Sequence, residues 1–167
     1  MRILINEKMN YISKIVFAVF LVLVSCKDET KENSIPFNKE LSKKQLKEFY
    51  PNITDTIKKP ILFSAEKLEM KPSNNVFVTL LHNQGAFDEI FICTHDRSKK
   101  IIDKKFIGIA TDFDNGKSHT IEKKIINNNV IIFEHIDWGY VNQNDIDTIR
   151  FGKNILMITN SGRIIEK

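Results

Sequence analysis

From Ile61 to Glu166 the chain repeats one pattern: a short run rich in Ile, Val, Phe and Thr, then a polar turn. The runs are Ile61–Met70, Val76–His82, Ala86–His95, Ile101–Ala110, His119–Ile126, Val130–Ile136, Thr148–Phe151, Ile155–Thr159 and Arg163–Glu166. β-branched and aromatic residues fit a pleated, half-buried surface, so each run reads as a strand. The separators Asn83-Gln84-Gly85, Asp114-Asn115-Gly116, Asn127-Asn128-Asn129 and Asn160-Ser161-Gly162 are turn formers. Connections this short join antiparallel neighbours, because a parallel crossover needs a dozen or more residues. A meander of about eight or nine strands must curl, close into a barrel or split into a sandwich.

Two further features refine this all-β expectation. Val76–Leu81 is nearly all apolar, as expected of a strand covered on both faces. The stretch Leu41–Tyr50 (LSKKQLKEFY) reads as one short N-terminal helix: Ser42 can cap it, Leu46, Phe49 and Tyr50 share a face, and Pro51 ends it. At 42% hydrophobic and 28% charged residues the composition is that of a globular chain.

The first 25 residues do not follow the β pattern. Arg2, Lys8 and Lys14 precede Ile15–Val24, an uncharged apolar run of ten residues. Such a run is half the length a helix needs to cross a hydrocarbon core, and it suits the h-region of a signal peptide. It ends in Leu23-Val24-Ser25-Cys26, which resembles the lipobox of bacterial lipoproteins. That resemblance implies cleavage before Cys26 and acylation of both its thiol and its freed amine. Several acyl chains on one residue give a stable membrane anchor where one chain gives only marginal binding.

Lys27-Asp28-Glu29, next to that cysteine, is similar to the export signal of surface lipoproteins in Bacteroidetes. The expected organisation is therefore a signal peptide over 1–25, a lipidated cysteine and flexible tether over 26–36, and one β-rich domain over 37–167. The expected location is the outer membrane. The domain faces outward if the export signal operates and faces the periplasm otherwise. The hairpin from Phe91 to Gly108, with Thr94-His95-Asp96 and Lys100-Ile101-Ile102-Asp103, resembles one common in small Bacteroidetes lipoproteins, as does the closing Asn160-Ser161-Gly162-Arg163-Ile164-Ile165. His95 stands where that hairpin usually has an aromatic residue. The resemblance implies fold and location and no reaction.

Charge and cysteine content exclude several classes. Removing residues 1–25 takes away three basic and one acidic residue, which leaves 22 basic and 20 acidic residues and a formal charge of +2. The lysine pairs are scattered and form no basic stripe, so no nucleic-acid partner is expected. With Cys26 acylated, Cys93 has no disulfide partner and reads as a small core residue.

The chemistry-bearing residues give no committed catalytic or metal site. Asp112-Phe113-Asp114-Asn115-Gly116 alternates oxygen ligands, yet its glycine and its position twelve (Lys123) miss the calcium-loop spacing, and it reads as a hairpin turn. His82, His95, His119 and His135 form no metal-ligand motif. They read as strand-end residues in hairpin loops, although His95-Asp96 could in principle meet His135 and Asp137. No nucleophile elbow, phosphate loop or dinucleotide fingerprint is present, and no cofactor is expected. The candidate ligand contact is Trp138 with Tyr140, two apart and so on one side of an extended segment, read here as a wide loop. These readings favour a lipid-anchored, non-enzymatic β-domain that binds an unknown protein or ligand. The alternatives are a small envelope hydrolase with a convergent His/Asp site, or an inhibitor or self-protection protein.

Overall fold

The computed structural model describes residues 34–51, 53, 62–85, 87–114, 116–141 and 145–167, the side chains of 112–114 excepted. The folded unit is Ile35–Lys167. Helix α1 (Lys43–Phe49) is followed by eight strands: β1 (Leu62–Lys67), β2 (Phe77–Gln84), β3 (Asp88–His95), β4 (Ile101–Asp114), β5 (Lys117–Ile125), β6 (Val130–Tyr140), β7 (Ile146–Ile158) and β8 (Ile164–Glu166). All eight lie in one antiparallel sheet in chain order, which is the meander that the short turns predict.

The helix forms for the expected reason. Ser42 caps it in a reciprocal box with Gln45, each satisfying the other's backbone N–H, while Leu46 and Phe49 are buried below. Together with Ile35, Leu41 and Tyr50 they cover Phe63, Leu81, Phe91 and Cys93 on one face of β1–β3. The segment before the helix also covers the outer edge of β1, where Asn38 and Leu41 donate backbone N–H groups to Ala65 and Phe63 at 2.7 Å. An edge strand so covered offers no free ladder to another chain.

The other face of the sheet curls on itself. Val78 and Leu80 of β2 and Ile90 and Ile92 of β3 share one buried cluster with Ile131 and Phe133 of β6 and Leu156 and Ile158 of β7. Strands that distant in sheet order can touch only across a bend. Polar ties cross the same gap: Lys123 of β5 pairs with Glu66 of β1, and Lys105 of β4 with Glu166 of β8. Thr94 Oγ1 donates to the Gly162 carbonyl at 2.6 Å, which seats the last hairpin against β3. Register shifts at Ile90/Phe91, Thr94/His95 and Asp137/Trp138 add local twist and support the bend. The sheet stays open, since β1 and β8 do not pair. β2 lies between the two cores and is buried on both faces, with Val78 and Leu81 at 0% exposure.

Two expectations about the last strands are corrected. Thr148–Phe151 and Ile155–Thr159 belong to one strand, β7, because Gly152 and Asn154 continue the ladder. The Trp138–Tyr140 segment is not a loop; it is the end of β6.

Candidate functional site

Cys26 lies outside the described residues. Trp138 and Tyr140 sit on the convex side of β6, where the ladder pairs Ile136 with Phe151, Trp138 with Thr148 and Tyr140 with Ile146. The Trp138 indole is half-buried, and its Nε1–H donates to Thr120 Oγ1 at 3.1 Å. Tyr140, Ile146 and Phe151 are each more than half or about half exposed, at 53%, 50% and 56%. The Tyr140 ring rests on Gly116, where a Cβ would come within 2.9 Å of it; the same glycine takes φ +77° in the turn.

The concave side of the same strands carries a different set of groups. The turn after β5 is held by Asn127, whose side-chain oxygen accepts from the backbone N–H groups of Asn129 and Val130. It places Ile121 opposite His135 and His119 opposite Asp137. His119 Nδ1 meets Asp137 Oδ1 at 2.5 Å, and His119 Nε2 meets His135 Nδ1 at 3.3 Å. His135 Nε2 is buried and makes no hydrogen bond. Close approach of β4 makes room for this ring: a Cβ on Gly108 would lie 3.2 Å from His135 Cε1 and 2.8 Å from Ile121 Cδ1. Arg150, opposite Asp137, and Asn154 complete a cleft of about 340 Å³.

Proton order along the chain follows from its acid end. An ionised Asp137 only accepts, so His119 donates from Nδ1 and presents a lone pair at Nε2. His135 then donates from Nδ1, and its own Nε2 is left as a bare acceptor. The arrangement fixes the tautomer and ring plane of both histidines. Among the described residues no three His, Cys, Asp or Glu side chains are placed to hold a metal ion.

The remaining histidines serve other purposes. His95 is fully buried rather than at a solvated strand end, which corrects the sequence reading. It stacks on Phe77 at 4.9 Å and 9° and meets the Tyr50 ring edge-on at 5.2 Å. It thus packs as the aromatic residue usual at this point of the hairpin would. Its Nδ1–H donates to the Lys99 carbonyl, Thr79 donates to its Nε2, and Tyr50 donates to Thr79. Burial lowers the His95 pKa to about 4 and pushes the Cys93 thiol up to about 12, so that thiol is inert. His82 pairs with Asp88 at 2.8 Å near the far end of β2 and β3.

Sequence reasoning missed the His119–Asp137 pair; the only grouping it raised in principle was His95-Asp96 with His135 and Asp137, and it favoured strand-end histidines. The signal was available in the turn: a hairpin centred on Asn128 sets His119 opposite Asp137, with His135 two residues along the same face. A larger hollow of about 790 Å³ lies between the β1–β2 connection and the β5–β6 turn, with Glu69, Asn74 and Arg97 in its wall. Arg97 already donates to the Asn74 carbonyl there.

Comparison with family models, curated proteins and solved structures yields no match.

Proposed function

We propose that the chain is a lipid-anchored outer-membrane protein whose β-domain binds a protein or ligand, in the envelope or at the cell surface, without catalysis. The observation that carries the binding reading is the convex ladder on β6 and β7. The solvent side of an antiparallel sheet is ordinarily polar, whereas here Ile136, Phe151, Trp138, Tyr140 and Ile146 follow one another across two strands. Contiguous exposed apolar residues with a Trp and a Tyr among them suit a contact surface, because such rings bring large area at low entropic cost. The anchor reading rests on the apolar run Ile15–Val24 and on Leu23-Val24-Ser25-Cys26.

Photo-crosslinking in living cells tests the binding surface. A photoreactive amino acid at Tyr140 or Phe151 is expected to give a discrete higher-mass adduct, and the same probe at exposed Lys47 on the helix is expected to give none. A pattern identical at all three positions, or no adduct at 140 and 151, would sink the proposal.

A further inference from the structure

The two outer strands of the sheet end differently. The segment before α1 covers β1, whereas β8 covers only Leu156, Met157 and Ile158 of β7, with the Lys167 N–H donating to the Ile155 carbonyl. Among the described residues no strand pairs with the outer edge of β7 from Ile146 to Asn154. Every residue from Ile146 to Phe151 is exposed. Backbone groups alternate between the two sides of a strand, so the outward Ile155 carbonyl means that Lys153 and Phe151 also face outward. The bulge at Ile149 shifts that alternation, and beyond it Thr148 faces out: its N–H meets the Asp147 carboxylate at 2.6 Å instead of β6. Ile149 leaves the edge clear, since its side chain lies over β6, where a Cβ on Gly139 would come within 3.0 Å of its Cδ1. A long exposed edge with an apolar face is a template for one more strand.

The side chains along this edge are self-complementary. Ile146, Thr148 and Phe151 lie on the convex face, and Asp147 and Arg150 lie on the other. Consider a second copy laid antiparallel with Thr148 opposite Thr148. Ile146 then falls opposite Phe151 and Asp147 opposite Arg150, each twice by two-fold symmetry. The faces stay matched because each strand carries the same bulge beside the axis. Apolar, Thr–Thr and opposite-charge pairs directly across a ladder all stabilise it. A centre at Asp147 or at Arg150 would instead set like charges opposite each other, and a centre at Phe151 would pair no charges. Among the described residues Arg150 forms no ion pair, and Asp147 engages only the neighbouring Thr148 amide.

We propose that β7 pairs with β7 of a second copy of this chain, antiparallel and centred on Thr148, so that two sheets become one. The outward N–H and C=O groups of Ile146, Thr148 and Phe151 exchange hydrogen bonds across the axis. Two Asp147–Arg150 pairs fix the register. The convex ladders of the two copies become continuous there. The inference stands on the backbone edge and on charge, and it does not depend on what the convex surface binds.

Disulfide trapping in membranes of cells that make the full chain tests the register. Thr148→Cys sets two thiols on opposed residues whose Cα atoms lie about 5.5 Å apart, within disulfide range. Mild oxidation is expected to give a species of twice the chain mass. Lys153→Cys, on the same face but about 25 Å from its counterpart, is expected to give no more than the native protein does. Charge exchange tests the recognition. In sedimentation of the full chain in detergent, Asp147→Lys or Arg150→Glu alone should weaken association by about tenfold or more, since each sets like charges opposite one another twice. Mixing the two variants should restore it, because each supplies the charge that the other lacks. A monomeric native protein, equal trapping at 148 and 153, charge variants that associate as the native protein does, or a mixture that stays apart would overturn the proposal. So would trapping of Thr148→Cys on a chain of another mass, which would assign the edge to a different partner.

Discussion

Replacing Phe133 with alanine is expected to remove about 4 kcal/mol of stability, a large part of what a domain of this size possesses. Phe133 is 1% exposed, yet its cross-strand neighbours on the concave face are Lys123 and Asn154. Its apolar contacts therefore come largely from across the bend, in the cluster that contains Val78, Leu80, Ile90 and Ile92. Truncation opens a cavity where the two halves of the curled sheet meet, and the rigid strands on either side cannot collapse into it. In guanidinium unfolding the midpoint should drop while the slope is retained. Phe151→Ala, on the convex face at 56% exposure, should change stability by no more than about 0.5 kcal/mol. Equal effects at the two positions would mean that the sheet does not bend around Phe133.

The second large effect is loss of stability in acid through His95. In the unfolded chain its imidazole takes up a proton at the ordinary value of 6.5, while burial in the fold lowers its pKa to about 4. Between those values the unfolded state binds more protons, so stability falls as pH falls. The His95 contribution is complete above about pH 6.5, declines below it and is gone by about pH 4, a total of about 3 kcal/mol. Within the fold the charged ring would sit between Phe77 and Tyr50, with only the Lys99 carbonyl and the Thr79 hydroxyl to receive two N–H donors. His95→Phe keeps the ring packing and removes the titration. Its stability should be lower at pH 7, because Thr79 loses its acceptor, but should change less than the native protein's between pH 7 and pH 4. Parallel pH profiles for the two proteins would contradict the assignment.

The strands were legible because their signals are local. Alternation, β-branched runs and Asn/Gly turns lie within a few residues of each other, and the Ser42 cap with Pro51 marks the helix in the same way. What was not legible depends on the bend. Nothing near Phe133 or Leu80 in the chain says that they share one buried cluster, since that juxtaposition follows from the summed twist of the strands between them. Two local misreadings had a common cause. Gly139 and Gly152 look like strand breakers, yet each lies within a continuous strand. His95 was misread because a histidine at a strand end is ordinarily solvated, whereas this one has Tyr50, Phe77 and Thr79 around it from three separate segments. The Asp137–His119–His135 chain was half legible: the residues and the turn were noticed, and only the register between them was missing.

Mass spectrometry of the N-terminal peptide, combined with protease treatment of intact cells, tests the anchored-domain reading most directly. The account predicts a peptide that begins at Cys26 and carries acyl mass, on a protein that fractionates with the outer membrane. Release of the β-domain by external protease would place it at the cell surface, and protection would place it in the periplasm. A peptide that begins at Met1, or a Cys26 without acyl mass, would contradict the anchor.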